Sequence, residues 1–213
     1  MRTRRDNRRR WGRRRILTVL AAGAVLGVGT ASTIAAWTDS EVATGSFTAS
    51  VFDTQSQSAG SPTYADHATS ANAASLTFAA GALSPGVLSQ AWINIRTSPA
   101  STIGGSITLT GATATGGLAG ALEYRAVRLS SAVPTATCNA AAFTTGTPVF
   151  IAGGASTYVP VTTVPSPAVA NAIDGAGAQL GFCVEVRVQP AAASTFQGTA
   201  ATVTWTFTGT SAS

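Results

Sequence analysis

Cys138 and Cys183 are the residues best equipped for chemistry, and the chain of 213 residues has no other cysteine. An even number of thiols behind an export-type leader predicts a disulfide, set against two buried free thiols as the rival reading. A metal site would need three or four soft ligands, and neither cysteine has a third or fourth nearby. The count of one histidine, His67, also bears on peptidase chemistry, because a His-Glu-x-x-His zinc site needs two. Asp66 adjoins His67, but no Gly-x-Ser-x-Gly elbow presents a serine to them. Gly175, Gly177 and Gly181 imitate part of a dinucleotide fingerprint at the wrong spacing, without alternating strand and helix around them, and read as a turn. The sequence therefore predicts no catalytic residue, no metal and no cofactor. Trp92, Tyr124, Tyr158 and Trp205 offer a stacking face for a sugar, against the commoner role of such rings in a core.

The elements that must position these residues are strands. GSFTASVF, residues 45–52, alternates Phe47, Ala49 and Val51 with small polar residues, the period of a half-buried strand. Residues 53–75 have no apolar period and are expected to be a mobile surface loop. Residues 75–101 read as a short strand, a turn at Pro85-Gly86 and a strand around Ala91 to Arg96. Residues 106–110 place Ile107 and Leu109 on one face of another strand. Leu122–Leu129 fits helix or strand, and its Tyr, Val and Leu content between Gly-rich turns favours strand. In the proline-rich stretch 130–181, short edge strands are expected over Pro148–Ala152 and Ser156–Val161. The clearest pair closes the chain: Val184, Val186 and Val188 alternate with Cys183, Glu185 and Arg187, and Val203, Trp205 and Phe207 alternate with threonines. No sustained helical stripe follows residue 36. Short strands separated by turn signals predict an antiparallel β-sandwich or jelly roll.

Charge divides the chain. Nine of its 13 basic residues lie in residues 2–15 beside one acid, Asp6. From residue 36 onward four arginines face seven acids, a net charge of −3. The pI of 10.2 thus reflects the first segment alone, and no basic stripe marks a nucleic-acid partner. Charged residues make up only 10% of the chain, so its surface must be mostly Ser, Thr, Gly and Ala. Residues 1–15 form a basic n-region and 16–28 an apolar h-region, together the signal helix of a leader, residues 1–35, that directs the rest of the chain out of the cell. The uncharged stretch runs on to Thr38, long enough to span a bilayer, so a permanent anchor is the competing expectation. Arg13, Arg14, Ile16 and Leu17 match a twin-Arg export pattern loosely.

GTASTIAAWTDSEVATGSFTAS, residues 29–50, resembles the junction of exported proteins cut by the SipW-type signal peptidase, the group of camelysin and the TasA-type biofilm matrix fibre proteins. The positions that carry the resemblance are Thr33, Ala35, Ala36, Trp37 and Asp39, and it implies cleavage between Ala35 and Ala36. LTFAAGALSPGVLSQAWINI resembles the family's strand–turn–strand segment through Leu83, Pro85 and Gly86, and FQGTAATVTWTFTGTS resembles its final strand. Arg96, Thr97, Ser98 and Pro99 stand where the family often has Asn-x-Gly, and residues 110–180 do not match. The resemblance implies a jelly roll in a single exported domain, residues 36–213.

The expected function rests on the new amino terminus. The freed segment 36–44, with Ala36, Trp37, Asp39 and Val42, is suited to strand donation into a neighbouring copy, giving a secreted surface or matrix fibre subunit. Its partners would be the signal peptidase during export and copies of itself or related subunits afterward, with membrane contact only through the leader. A monomeric exported binding or adhesion domain is the alternative, and a membrane-tethered surface protein with its leader uncut is a third.

Overall fold

Nine strands form in a computed structural model that describes residues 43–78 and 83–213, and all nine belong to the unit Thr48–Ser213. The leader, the cleavage residues Thr33, Ala35 and Ala36, and the donor residues Trp37, Asp39 and Val42 lie outside the described residues. The strands are β1 (Thr54–Ser58), β2 (Leu88–Thr97), β3 (Gly105–Thr115), β4 (Leu122–Arg128), β5 (Val149–Ala152), β6 (Val159–Pro160), β7 (Asn171–Ile173), β8 (Gln179–Val188) and β9 (Thr202–Ser211). The helical elements among the described residues are short 3-10 turns.

Two antiparallel sheets result. The larger has the order β1-β2-β8-β4-β5, with β6 also paired to β4, and the smaller has the order β7-β3-β9. Their apolar faces share one core. Ile93 and Ile95 of β2, Tyr124 of β4 and Phe182, Val184 and Val186 of β8 meet Ile107 and Leu109 of β3 and Val203, Trp205 and Phe207 of β9. Aromatic rings bridge the sheets: Tyr124 and Trp205 lie 5.5 Å apart and Phe182 and Phe207 5.1 Å apart, in tilted packing. The expected strands over 91–96, 106–110, 122–129, 148–152 and the last two segments all form, as does the Pro85-Gly86 turn. In that turn Gly86 takes φ 78° and the Val87 N–H donates to Ser84 O at 3.0 Å, the geometry that Pro followed by Gly favours.

Four expectations are corrected. Residues 45–52 form no strand: residues 43–50 are exposed, Phe47 is 97% exposed, and only Val51 and Phe52 reach the fold. Alternation does not suffice without a neighbouring ladder, and the edge of β2 is taken from Thr54 onward by β1. Residues 53–75, expected as an irregular loop, contain that strand, and the turn after it is tied by Ser58 Oγ donating to Ser75 O at 2.6 Å. Leu76 and Phe78 pack on the core, but no strand forms over 75–78. Gly181 lies inside β8 and not in a turn. A Cβ there would meet Ser131 O at 2.5 Å, so glycine is what lets the chain beyond β4 press onto the strand.

Candidate functional site: the free edge of the smaller sheet

TVTWTFTGTS is ten residues long, has neither charge nor proline, and alternates threonine with apolar residues over most of its length, so it forms a long regular strand. Val203, Trp205 and Phe207 turn toward the core, and the threonines turn out. On β3 the outward residues are Ser106, Thr108, Gly111, Thr113 and Thr115, paired in register with Thr210, Thr208, Thr206, Thr204 and Thr202. Thr110, the extra residue at the bulge between Leu109 and Gly111, places its Oγ1 2.6 Å from that of Thr208. The result is an uncharged face of hydroxyls and methyls.

β9 pairs with β3 on one side, and among the described residues its other edge has no backbone partner. The remaining sheet edges are blunted. Ser56 and Ala65 exchange backbone hydrogen bonds of 3.0 and 3.1 Å across the outside of β1. β5 has four residues and follows Pro148, and β7 has three and follows Pro165 and Pro167. Phe78 stands 6.3 Å from Trp205, yet residues 74–78 make no backbone hydrogen bond to β9.

The larger sheet is the opposite case, because its outward face is covered by the excursion between β4 and β6. The predicted disulfide forms there: Cys138 is bonded to Cys183 of β8, with Cα atoms 5.2 Å apart. Val127, Leu129, Phe143 and Cys183 make a second small core beneath the excursion. Beside it Glu185 is fully buried, and both its carboxylate oxygens are used. Arg125 Nε donates to Oε1 at 2.7 Å, Tyr158 Oη donates to the same oxygen, and Gln90 Nε2 donates to Oε2 at 2.7 Å. The Arg125 guanidinium also donates to Ala155 O and lies 4.6 Å from the centre of the Phe143 ring. Arg187 pairs with Glu123 at 2.5 Å and stacks 3.6 Å above Tyr158. Burial, together with the adjoining Glu185 carboxylate, pushes the Tyr158 hydroxyl up to about 12. Both arginines of the cluster are paired with carboxylates, and through Tyr158 and Ala155 the cluster fastens the excursion to the strands.

The aromatic residues weighed as a sugar platform do not gather on one open face. Tyr124 is fully buried against Trp205, Tyr158 lies on the covered side of the larger sheet, and Trp92 projects outward from β2 opposite Cys183. His67 Nδ1 is 2.8 Å from Ser56 Oγ, but Asp66 Oδ1 accepts from Ala68 N at 3.0 Å and is not the group that orients the ring. Among the described residues no three His, Cys, Asp or Glu side chains gather as a metal site would require. The buried Glu185 cluster and the edge of β9 without a partner among the described residues were both missed by sequence reasoning. The signal for the first was two opposite charges, Glu185 and Arg125, inside strands with buried neighbours; for the second it was a long strand pattern with no charge or proline.

Comparison with protein-family models, with curated proteins and with solved structures finds no match for this chain.

Proposed function

We propose that the chain is an exported structural subunit that assembles with its own copies into fibres of the cell surface or extracellular matrix. The observation that supports this reading is the β9 edge: ten residues without charge or proline and, among the described residues, without a backbone partner on the outer side. A neighbour's extended segment completes such a ladder through main-chain hydrogen bonds and seats alternate side chains in pockets. Residues 36–44, AWTDSEVAT, have the composition for that role, with Trp37 and Val42 for apolar pockets and Asp39 for solubility. A SipW-type signal peptidase cutting after Ala35 would free this segment, which until then is tied to the leader. The net charge of −3 beyond residue 35 is too small to oppose packing at physiological salt.

The same reading takes the fold as a jelly roll. Its support is the nesting of the antiparallel pairs β2 with β8, β3 with β7 and β4 with β6 around β5. That is how a chain folded back on itself wraps into two sheets. β9 is then an addition on the far side of β3.

The test compares residues 36–213 with residues 45–213 by electron microscopy and size exclusion. Fibres from the longer chain alone are expected, and a synthetic peptide of residues 36–44 should cap the shorter chain and block growth of the longer. Fibres from both chains, or from neither, would overturn strand donation.

A further inference from the structure

Four arginines lie among the described residues, and three of them are matched. Arg96 donates to Gln55 Oε1 at 3.0 and 2.7 Å, Arg125 pairs with Glu185, and Arg187 pairs with Glu123. Arg128, half-buried at the end of β4, has no hydrogen-bond or ion-pair partner among the described residues.

Arg128 lines a cavity of about 460 Å³. Ser130, Thr137, Thr145 and Thr147 are among its polar lining residues, Leu129 and Pro148 are among the apolar ones, and no acid lines it. The cleft is half open to solvent, and its volume falls in the range of small-molecule sites. Among the lining residues, Thr137 precedes Cys138, whose bond to Cys183 ties it to the central strand β8, and Thr147 and Pro148 lead into β5.

A half-buried guanidinium without a counter-charge calls for an anion, and hydroxyls around it call for a partner that donates and accepts hydrogen bonds. A neutral sugar leaves the guanidinium unmatched, and a bare inorganic anion leaves most of the volume unfilled. No aromatic ring lines the cavity, so recognition there rests on charge and hydroxyls and not on stacking. The exported part has an overall negative charge and no general attraction for anions, so this local cation decides. We propose that the cavity binds an anionic carbohydrate, a sugar bearing a carboxylate or a phosphate, with Arg128 as its charge partner.

The test is isothermal titration calorimetry of the full chain, disulfide closed, at low salt. The probes are trigalacturonate, glucose 6-phosphate and, as neutral control, maltotriose. At least one anionic probe should bind tenfold or more tightly than maltotriose, and Arg128→Gln should remove that preference with the unfolding midpoint unchanged. The arginine-rich leader attracts anions as well, but equally in both proteins, so the difference between them reports the cavity. Arg128→Lys should keep part of the preference, because a point charge remains. Thr145→Val with Thr147→Val, which also line the cavity, should weaken binding severalfold. Preference for trigalacturonate identifies a uronate ligand and preference for glucose 6-phosphate a phosphorylated one. Anionic probes no tighter than maltotriose, or binding that Arg128→Gln leaves intact, would overturn the proposal.

Discussion

Outward on the larger sheet stand Gln90, Arg125, Glu185 and Arg187, buried or half-buried beneath the chain between β4 and β6; outward on the smaller sheet stand Thr113, Thr202, Thr206 and Thr208, open to water. Both rows obey the same strand alternation, and what separates them is cover. Polar groups under cover must find partners, and Glu185 has three. Threonine in the open needs none, since water satisfies the hydroxyl and the branched Cβ suits the pleat. The covered face should therefore be intolerant of single substitutions, and the open face indifferent to them.

The sharpest way to break that contrast is Glu185→Ala, which strands Arg125 beneath the excursion. A loss of about 5 kcal/mol is expected, the upper end for removing one partner of a buried ion pair. It should appear as a lower denaturant midpoint at an unchanged slope. A loss under ~1 kcal/mol would mean that water reaches the cluster. Next in size is the bond that pins the cover. Replacing Cys138 and Cys183 together by alanine opens a loop of 45 residues, for which chain entropy predicts about 4 kcal/mol, read by the same titration.

A pH titration sharpens the comparison further. Burial pushes the hydroxyls of Tyr124 and Tyr158 up to about 12 from the ordinary 10, so the folded chain holds these protons more tightly than the unfolded one. The stability they contribute is complete below pH 10 and is lost as pH rises from 10 through about 12. Tyr124→Phe with Tyr158→Phe should flatten that decline in unfolding midpoints measured across the range. The smallest effect is expected on the open face. Thr206→Lys should change stability by less than about 0.5 kcal/mol and, under the proposed assembly, slow fibre growth, because a lysine on an edge strand discourages pairing.

Legibility in the sequence divided along the same line. β3, β8 and β9 were readable because each sets apolar residues at period two against one core, and the cysteine pair was readable from parity and an expected oxidising compartment. β1 was not readable. TQSQS is held by hydrogen bonds from Arg96 to Gln55 and from Asn94 to Gln57, and a search for apolar period cannot see a strand fastened by polar side chains. Residues 45–52 erred in the other direction, having the period of a strand but no neighbour. The burial of Glu185 was not readable because alternation reports which face a residue takes, not what lies over that face. The free edge of β9 was hidden for a related reason: whether a strand is central or peripheral depends on pairing, and only its lack of charge and proline was written in the residues.

β8 lies between β2 and β4, yet in chain order it is the eighth of the nine described strands. Until residue 188 has left the ribosome, its two neighbours have no common member to join them, and Cys138 has no sulfur with which to react. Closure depends on contacts between distant parts of the chain, an ordering that slows folding. A nascent chain short of that point holds β2 and β4 without the strand that lies between them, so the larger sheet closes only once β8 has emerged.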